Sequence, residues 1–197
     1  MATSRALFAP GAGCYARCVR RLTVVAALAP FILMMPVSVS SAPPVSAIVD
    51  KAPLPAGPKP SPIATMVCQP KAQREIDEVL GEKAKVSDKT WTNHNYACRY
   101  GYSTGSFELS VKELSSWTQT RTYFHDLGVQ LGHPQKLGNL GQGAFRTANG
   151  DVAVRKDWKV LLVNVSGLPP QFGRPPTSST DVAYTVADLI LGCWNGD

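Results

Sequence analysis

The stretch Tyr96-Ala97-Cys98-Arg99-Tyr100-Gly101-Tyr102-Ser103-Thr104-Gly105-Ser106-Phe107-Glu108-Leu109-Ser110-Val111-Lys112 decides the fold. Large apolar or aromatic residues alternate with small or polar ones on both sides of a Gly- and Ser-containing turn at 103–106, the signature of two antiparallel strands joined as a hairpin. The same letters contain Gly101-Tyr102-Ser103-Thr104-Gly105, which matches G-x-S-x-G, the pattern of a serine nucleophile elbow. That nucleophile elbow needs a strand, a sharp turn and then a helix, with an acid and a histidine later in the chain. Asp126 and His133 follow in the right order, but the alternation that resumes at Phe107 makes the segment after the turn a strand. The 135 residues from 63 to 197, with three helical patterns, are too few to build the parallel sheet that displays such an elbow. A secreted serine hydrolase using Ser103 is therefore the alternative reading, and an ordinary turn rich in Gly and Ser is the preferred one.

Upstream, Ala72, Ile76, Val79 and Leu80 recur at helical spacing and predict a helix over 69–80, with Pro70 in its first turn and Gly81 as its stop. Downstream, Trp117, Phe124, Leu127 and Leu131 predict a second helix over 117–131. Strands over 144–148 and 152–154 then flank Asn149-Gly150, a strong short hairpin signal. Residues 159–166 form a near-continuous apolar run, expected of a central strand covered on both faces. After a loop with Pro169, Pro170, Gly173, Pro175 and Pro176, Ser178-Ser179-Thr180-Asp181 can cap a last helix whose stripe is Val182, Val186, Leu189, Ile190 and Cys193. The order α-β-β-α-β-β-β-α predicts an α+β fold, an antiparallel sheet with helices packed on it.

The basic balance of the chain has to be located before it is interpreted. Lys and Arg number 20 against 14 Asp and Glu, a formal net charge of +6 with a pI near 9.2. Residues 1–47 hold Arg5, Arg17, Arg20 and Arg21 and no acid, and 63–197 hold 14 basic and 13 acidic residues. The excess therefore sits mainly in a leader and gives no support for nucleic-acid binding. Arginines, an apolar stretch over 22–37 and the small residues of Val45-Ser46-Ala47 make 1–47 a signal peptide or signal anchor, with cleavage before Ile48 or a membrane anchor formed by 22–39. A start at Val19 would shorten this to a compact signal. Arg20-Arg21 lacks the Phe-Leu that a twin-arginine signal carries, and no cysteine directly follows the apolar stretch, so lipidation is not expected. Either way the remainder is exported. Seven prolines in 43–62 make 48–62 a stiff linker, and the whole proline-rich run could span on the order of 60 Å in an extended helix. The globular domain is expected over 63–197.

In an exported domain cysteines oxidise. Cys68, Cys98 and Cys193 permit three pairings: Cys68–Cys98 would tie the first helix to the first strand, and Cys68–Cys193 would join the two ends of the domain. Cys193 is read as a buried member of the last helix's stripe. His94, His125 and His133 show no metal-ligand spacing and are read as surface or capping residues. Gly138-Asn139-Leu140-Gly141-Gln142-Gly143 lacks the flanking strand and helix of a phosphate loop. Trp91, Tyr100 and Tyr102, with Tyr96 beside them, are the candidate ligand surface, because aromatic rings with polar tips favour such positions. The plainer reading makes them packing residues.

Cys68 ahead of a helix ending in Leu80-Gly81, Cys98-Arg99-Tyr100 on an aromatic strand, Leu140-Gly141-Gln142-Gly143-Ala144-Phe145, the hairpin over 151–165 and the closing Ala/Val/Leu helix resemble small exported proteins and lipoproteins of actinobacteria, a domain family of unknown function. The likeness covers about 66–192. It implies an α/β sandwich related to PsbP-like folds, a place in the cell envelope, no known catalysis, and a disulfide between Cys68 and Cys98. The chain departs from that pattern in lacking the lipobox cysteine and in carrying Cys193. The expected function is a non-catalytic domain of the cell envelope, without cofactor or metal, that binds an envelope ligand or protein and touches membrane only through its N-terminal segment.

Overall fold

The computed structural model describes residues 53–132 and 134–194. The leader over 1–47, the start of the linker and His133 lie outside the described residues, among which no helix is long and apolar enough to cross a membrane.

Seven strands form one sheet: β1 (Lys85–Thr92), β2 (Asn95–Tyr102), β3 (Gly105–Glu113), β4 (Gln135–Leu137), β5 (Ala144–Arg146), β6 (Val152–Lys156) and β7 (Lys159–Asn164). Their order in space is β1-β2-β3-β7-β6-β5-β4, and every neighbouring pair is antiparallel. The chain makes a three-strand meander, crosses through helix α3 (Trp117–Leu131) to the far edge, and returns by a four-strand meander to the centre. Three further helices, α1 (Pro62–Met66), α2 (Pro70–Leu80) and α4 (Ser179–Cys193), and a small ribbon of β8 (Gln171–Phe172) with β9 (Thr177–Ser178) complete the α+β fold. The expected order holds in outline, with one strand added at each edge of the sheet and with α1 and the β8–β9 ribbon added outside it. Neither β1 nor β4 announces itself, because each is mostly polar and exposed and so carries no apolar alternation.

The strand period sorts side chains onto two faces. On one, Cys98 and Tyr100 of β2, Phe107, Leu109 and Val111 of β3, Val152 and Val154 of β6, and Leu161 and Val163 of β7 pack with α2 and α4. On the other, Phe145, Ala153 and Val160 pack with Leu127 of α3. Strand β7 thus has apolar neighbours on both sides, as its unbroken run requires. Helix α2 starts at Pro70 and stops at Gly81, whose φ of 65° reverses the chain. A Cβ there would stand 2.7 Å from the carbonyl oxygen of Arg174, so the stop also makes room for the 171–176 loop. Val79 lies at the margin of the line through Ala72, Ile76 and Leu80 and is 44% exposed, outside the buried stripe.

Two other local features differ from their sequence pattern. Asn149-Gly150 lies in a wider turn that Thr147 and Asp151 close, with Thr147 N donating to Asp151 O and Asp151 Oδ1 accepting from Val165 N at 2.9 Å. The proline-rich segment is laid against the domain over its described residues instead of projecting as a spacer. Ala56 N donates to Leu114 O, Trp91 Nε1 to Pro58 O at 3.1 Å, and Ser61 N to the buried Glu113 carboxylate at 3.1 Å. Ser61 then caps α1 by accepting from Ala64 N, with Pro62 at the first helical position.

Among the described residues a disulfide joins Cys68 to Cys98, with Cα atoms 6.0 Å apart. Beside it Tyr100 Oη donates to Val67 O at 2.6 Å, so the joint between α1 and α2 is held to β2 by one covalent and one hydrogen bond. Closing a loop of this length is worth about 3.5 kcal/mol in the chain-entropy account. Cys193 is half-buried at the end of α4, its Sγ 3.4 Å from Glu75 Oε2, and so stands at the edge of the helix's stripe.

Candidate functional site

Tyr100 and Tyr102 belong to the packed interior. Tyr100 is 0% exposed and stacks on Phe107 with ring centroids 4.9 Å apart, and burial, with Asp77 adding to it, pushes its hydroxyl pKa up. Tyr102 is half-buried and meets Phe172 edge-on at 4.7 Å; burial first, then Asp77, Tyr100 and Glu82, raises its pKa. Trp91 is engaged by the N-terminal segment through Pro58 and by His94, whose ring lies 5.7 Å away and whose Nδ1 is 3.0 Å from Gly57 O. The three aromatics therefore hold helices and strap to the sheet, and Tyr100 presents no surface to a ligand.

Ser103 and Thr104 form the two-residue turn between β2 and β3, where Tyr102 pairs with Gly105. The serine is exposed between two antiparallel strands, the opposite of a strand-to-helix elbow. Asp126 and His125 are exposed on α3, and His133 lies outside the described residues. Among the described residues no three His, Cys, Asp or Glu side chains are grouped as metal ligands.

A cleft of about 380 Å³ opens instead where α3 crosses the β4–β6 edge of the sheet. Its floor is apolar: Phe124 and Phe145, with ring centroids 4.8 Å apart, together with Ala144, Pro134 and Gly128. Gly128 is buried in the middle of α3, where glycine costs about 1 kcal/mol relative to alanine. A Cβ there would stand 3.3 Å from Pro134 Cγ and 3.5 Å from Phe145 Cε1, so the bare backbone is what lets helix and sheet edge approach this closely.

The rim is basic. Arg121 and His125 lie one turn apart on α3, Lys136 stands on β4 and Arg155 on β6. Arg155 lies over two rings, 5.9 Å from the centroid of Trp117 and 5.8 Å from that of Phe124. Each such contact is worth about 0.5–1 kcal/mol at an exposed site and orients the guanidinium. Gly143, opposite it on the neighbouring chain segment, leaves room: a Cβ would come within 2.7 Å of Arg155 Nε. Among the described residues no acidic side chain lines the cleft, and the ion pairs found there, Arg99–Asp88 and Arg174–Glu82, involve none of its cations. A second, polar notch of about 210 Å³ holds Arg99, Ser106, Glu108 and Asn164 on the portion of the same sheet face that α3 leaves open.

The arrangement offers fixed positive charge around an apolar floor, with no carboxylate or hydroxyl among its lining side chains. Sequence reasoning passed over it because its cations sit on three separate elements and each alone reads as a solvated charge. A glycine at position 128, inside an otherwise regular helix, was the available signal. No protein-family model, curated protein or solved structure matches this chain.

Proposed function

We propose that this is an exported, non-catalytic domain of the cell envelope that binds a ligand in the cleft between α3 and the β4–β6 edge. The observation that carries the reading is the cleft itself: a concave apolar floor with a few convergent polar groups is the usual form of a ligand site, and its volume falls within the roughly 300–1,000 Å³ of such sites. Export follows from the leader's arginines and apolar stretch. The near balance of 14 basic and 13 acidic residues over 63–197 argues against nucleic acid as the partner. The likeness to actinobacterial envelope proteins points the same way and rests on the quoted residues alone.

Amide chemical shifts of the oxidised chain, followed during a screen of small-molecule fragments, test this. Hits are expected to move α3 and β4–β6 together. Hits confined to the notch around Arg99 and Glu108, or none at all, overturn it. Labelling of Ser103 by a fluorophosphonate would replace it with the hydrolase reading.

A further inference from the structure

We infer that the ligand is an anionic amphiphile, a carboxylate or phosphate head on a single apolar body. This rests on the reading of the cleft as a binding site and says which chemistry it takes. Three permanent cations and an imidazole converge on the rim, and among the described residues no lining acid offsets them. Over the whole domain the charges nearly cancel, so this is a local concentration of positive charge. The Arg155 guanidinium is oriented in advance by Trp117 and Phe124, so it loses little freedom when it meets an anion. A bare inorganic anion would leave the Phe124–Phe145 floor wet, and a neutral apolar molecule would leave the rim unanswered. Only a molecule with both features uses both. The cleft is at the small end for ligand sites, which favours one short chain or ring system over a two-chain lipid.

The test compares decanoate, decyl phosphate, decanol and decylammonium against the oxidised chain, with anionic phospholipid vesicles as a further arm. Decanoate and decyl phosphate are expected to shift the amides around Phe124 and Phe145. Their relative affinities tell which head the rim prefers. The exposed pair Arg121→Glu with Lys136→Glu should weaken both anions about tenfold or more and strengthen decylammonium, whereas Arg121→Lys with Lys136→Arg should retain binding. Circular dichroism confirms that both pairs fold. Equal binding of decanol, decylammonium and decanoate by the unaltered chain overturns the inference but leaves the cleft a binding site. Binding to vesicles without binding to monomeric decanoate or decyl phosphate overturns it in favour of a membrane surface. Silence of the cleft towards all four amphiphiles overturns it too, and the fragment screen then decides whether the cleft binds anything.

Discussion

The two faces of the sheet are built to different standards. On the face that carries α2 and α4, buried residues from both helices and from β2, β3, β6 and β7 form one large cluster, pinned by Cys68–Cys98 and by the Tyr100–Val67 hydrogen bond. On the face that carries α3 the buried cluster is Leu127, Phe145, Ala153 and Val160, and the helix packs mainly on the β5–β7 region, reaching β3 where Lys112 lies over the Tyr123 ring. What α3 leaves uncovered is a cationic cleft at one margin and a polar notch at the other. Stability is concentrated on one side of a sheet a single strand thick, and chemistry can be carried on the other because packing does not use it up.

The strongest way to break this contrast is to open the dense face. Leu161 is 0% exposed in β7, and Leu161→Ala should cost about 4 kcal/mol in chemical denaturation while leaving cleft binding unchanged wherever the protein stays folded. Removing the Cys68–Cys98 bond by Cys68→Ala with Cys98→Ala should cost about 3.5 kcal/mol with the same indifference in binding. Tyr100 sharpens the picture through pH. Its hydroxyl keeps its proton in the folded state to a higher pH than in the unfolded chain, so its contribution is fully present below about pH 10 and is lost as pH rises beyond it, by about 1.4 kcal/mol per unit at most. A denaturation series above pH 10 should show this decline, Tyr100→Phe should make it shallower, and Tyr102, whose pKa burial also raises, should account for part of what remains. The smallest effects come from a matched pair. Ser116 caps α3 by accepting from Gln119 N, and Ser178 caps α4 by accepting from Asp181 N. Alanine at either should cost about 1 kcal/mol, but only Ser116→Ala should speed amide exchange around Arg121 and loosen the cleft.

The dense face was legible in the sequence because buried elements must repeat with the period of their structure. The alternation around Tyr102 and Phe107, the apolar run of β7 and the stripe of α4 each exist to fill that cluster. Strands β1 and β4 lie at the sheet's two edges, where half their surroundings are water, and Lys85, Asp88, Lys89, Gln135 and Lys136 answer to that instead of to a core. The cleft was hidden for a related reason. Arg121, Lys136 and Arg155 are 15 or more positions apart and meet only after α3 has crossed the sheet and the return meander has brought β6 beside β5. Trp91, Tyr100 and Tyr102, the conspicuous aromatics, were spent on fastening the chain to itself.

That fastening sets where a mechanical load would travel. Tension applied upstream of Pro53 first peels the strap from Leu114, His94, Trp91 and Glu113, whose contacts with it break in succession. It then reaches Cys68, where a covalent bridge hands the force to Cys98 in β2. Once the strap is off, residues 69–97, which include α2 and the exposed edge strand β1, lie inside the closed loop and bear none of it. A domain held by its N-terminus in a wall or membrane would therefore be pulled through an interior strand of its sheet, while the cleft, on the far margin, stays off the line of force.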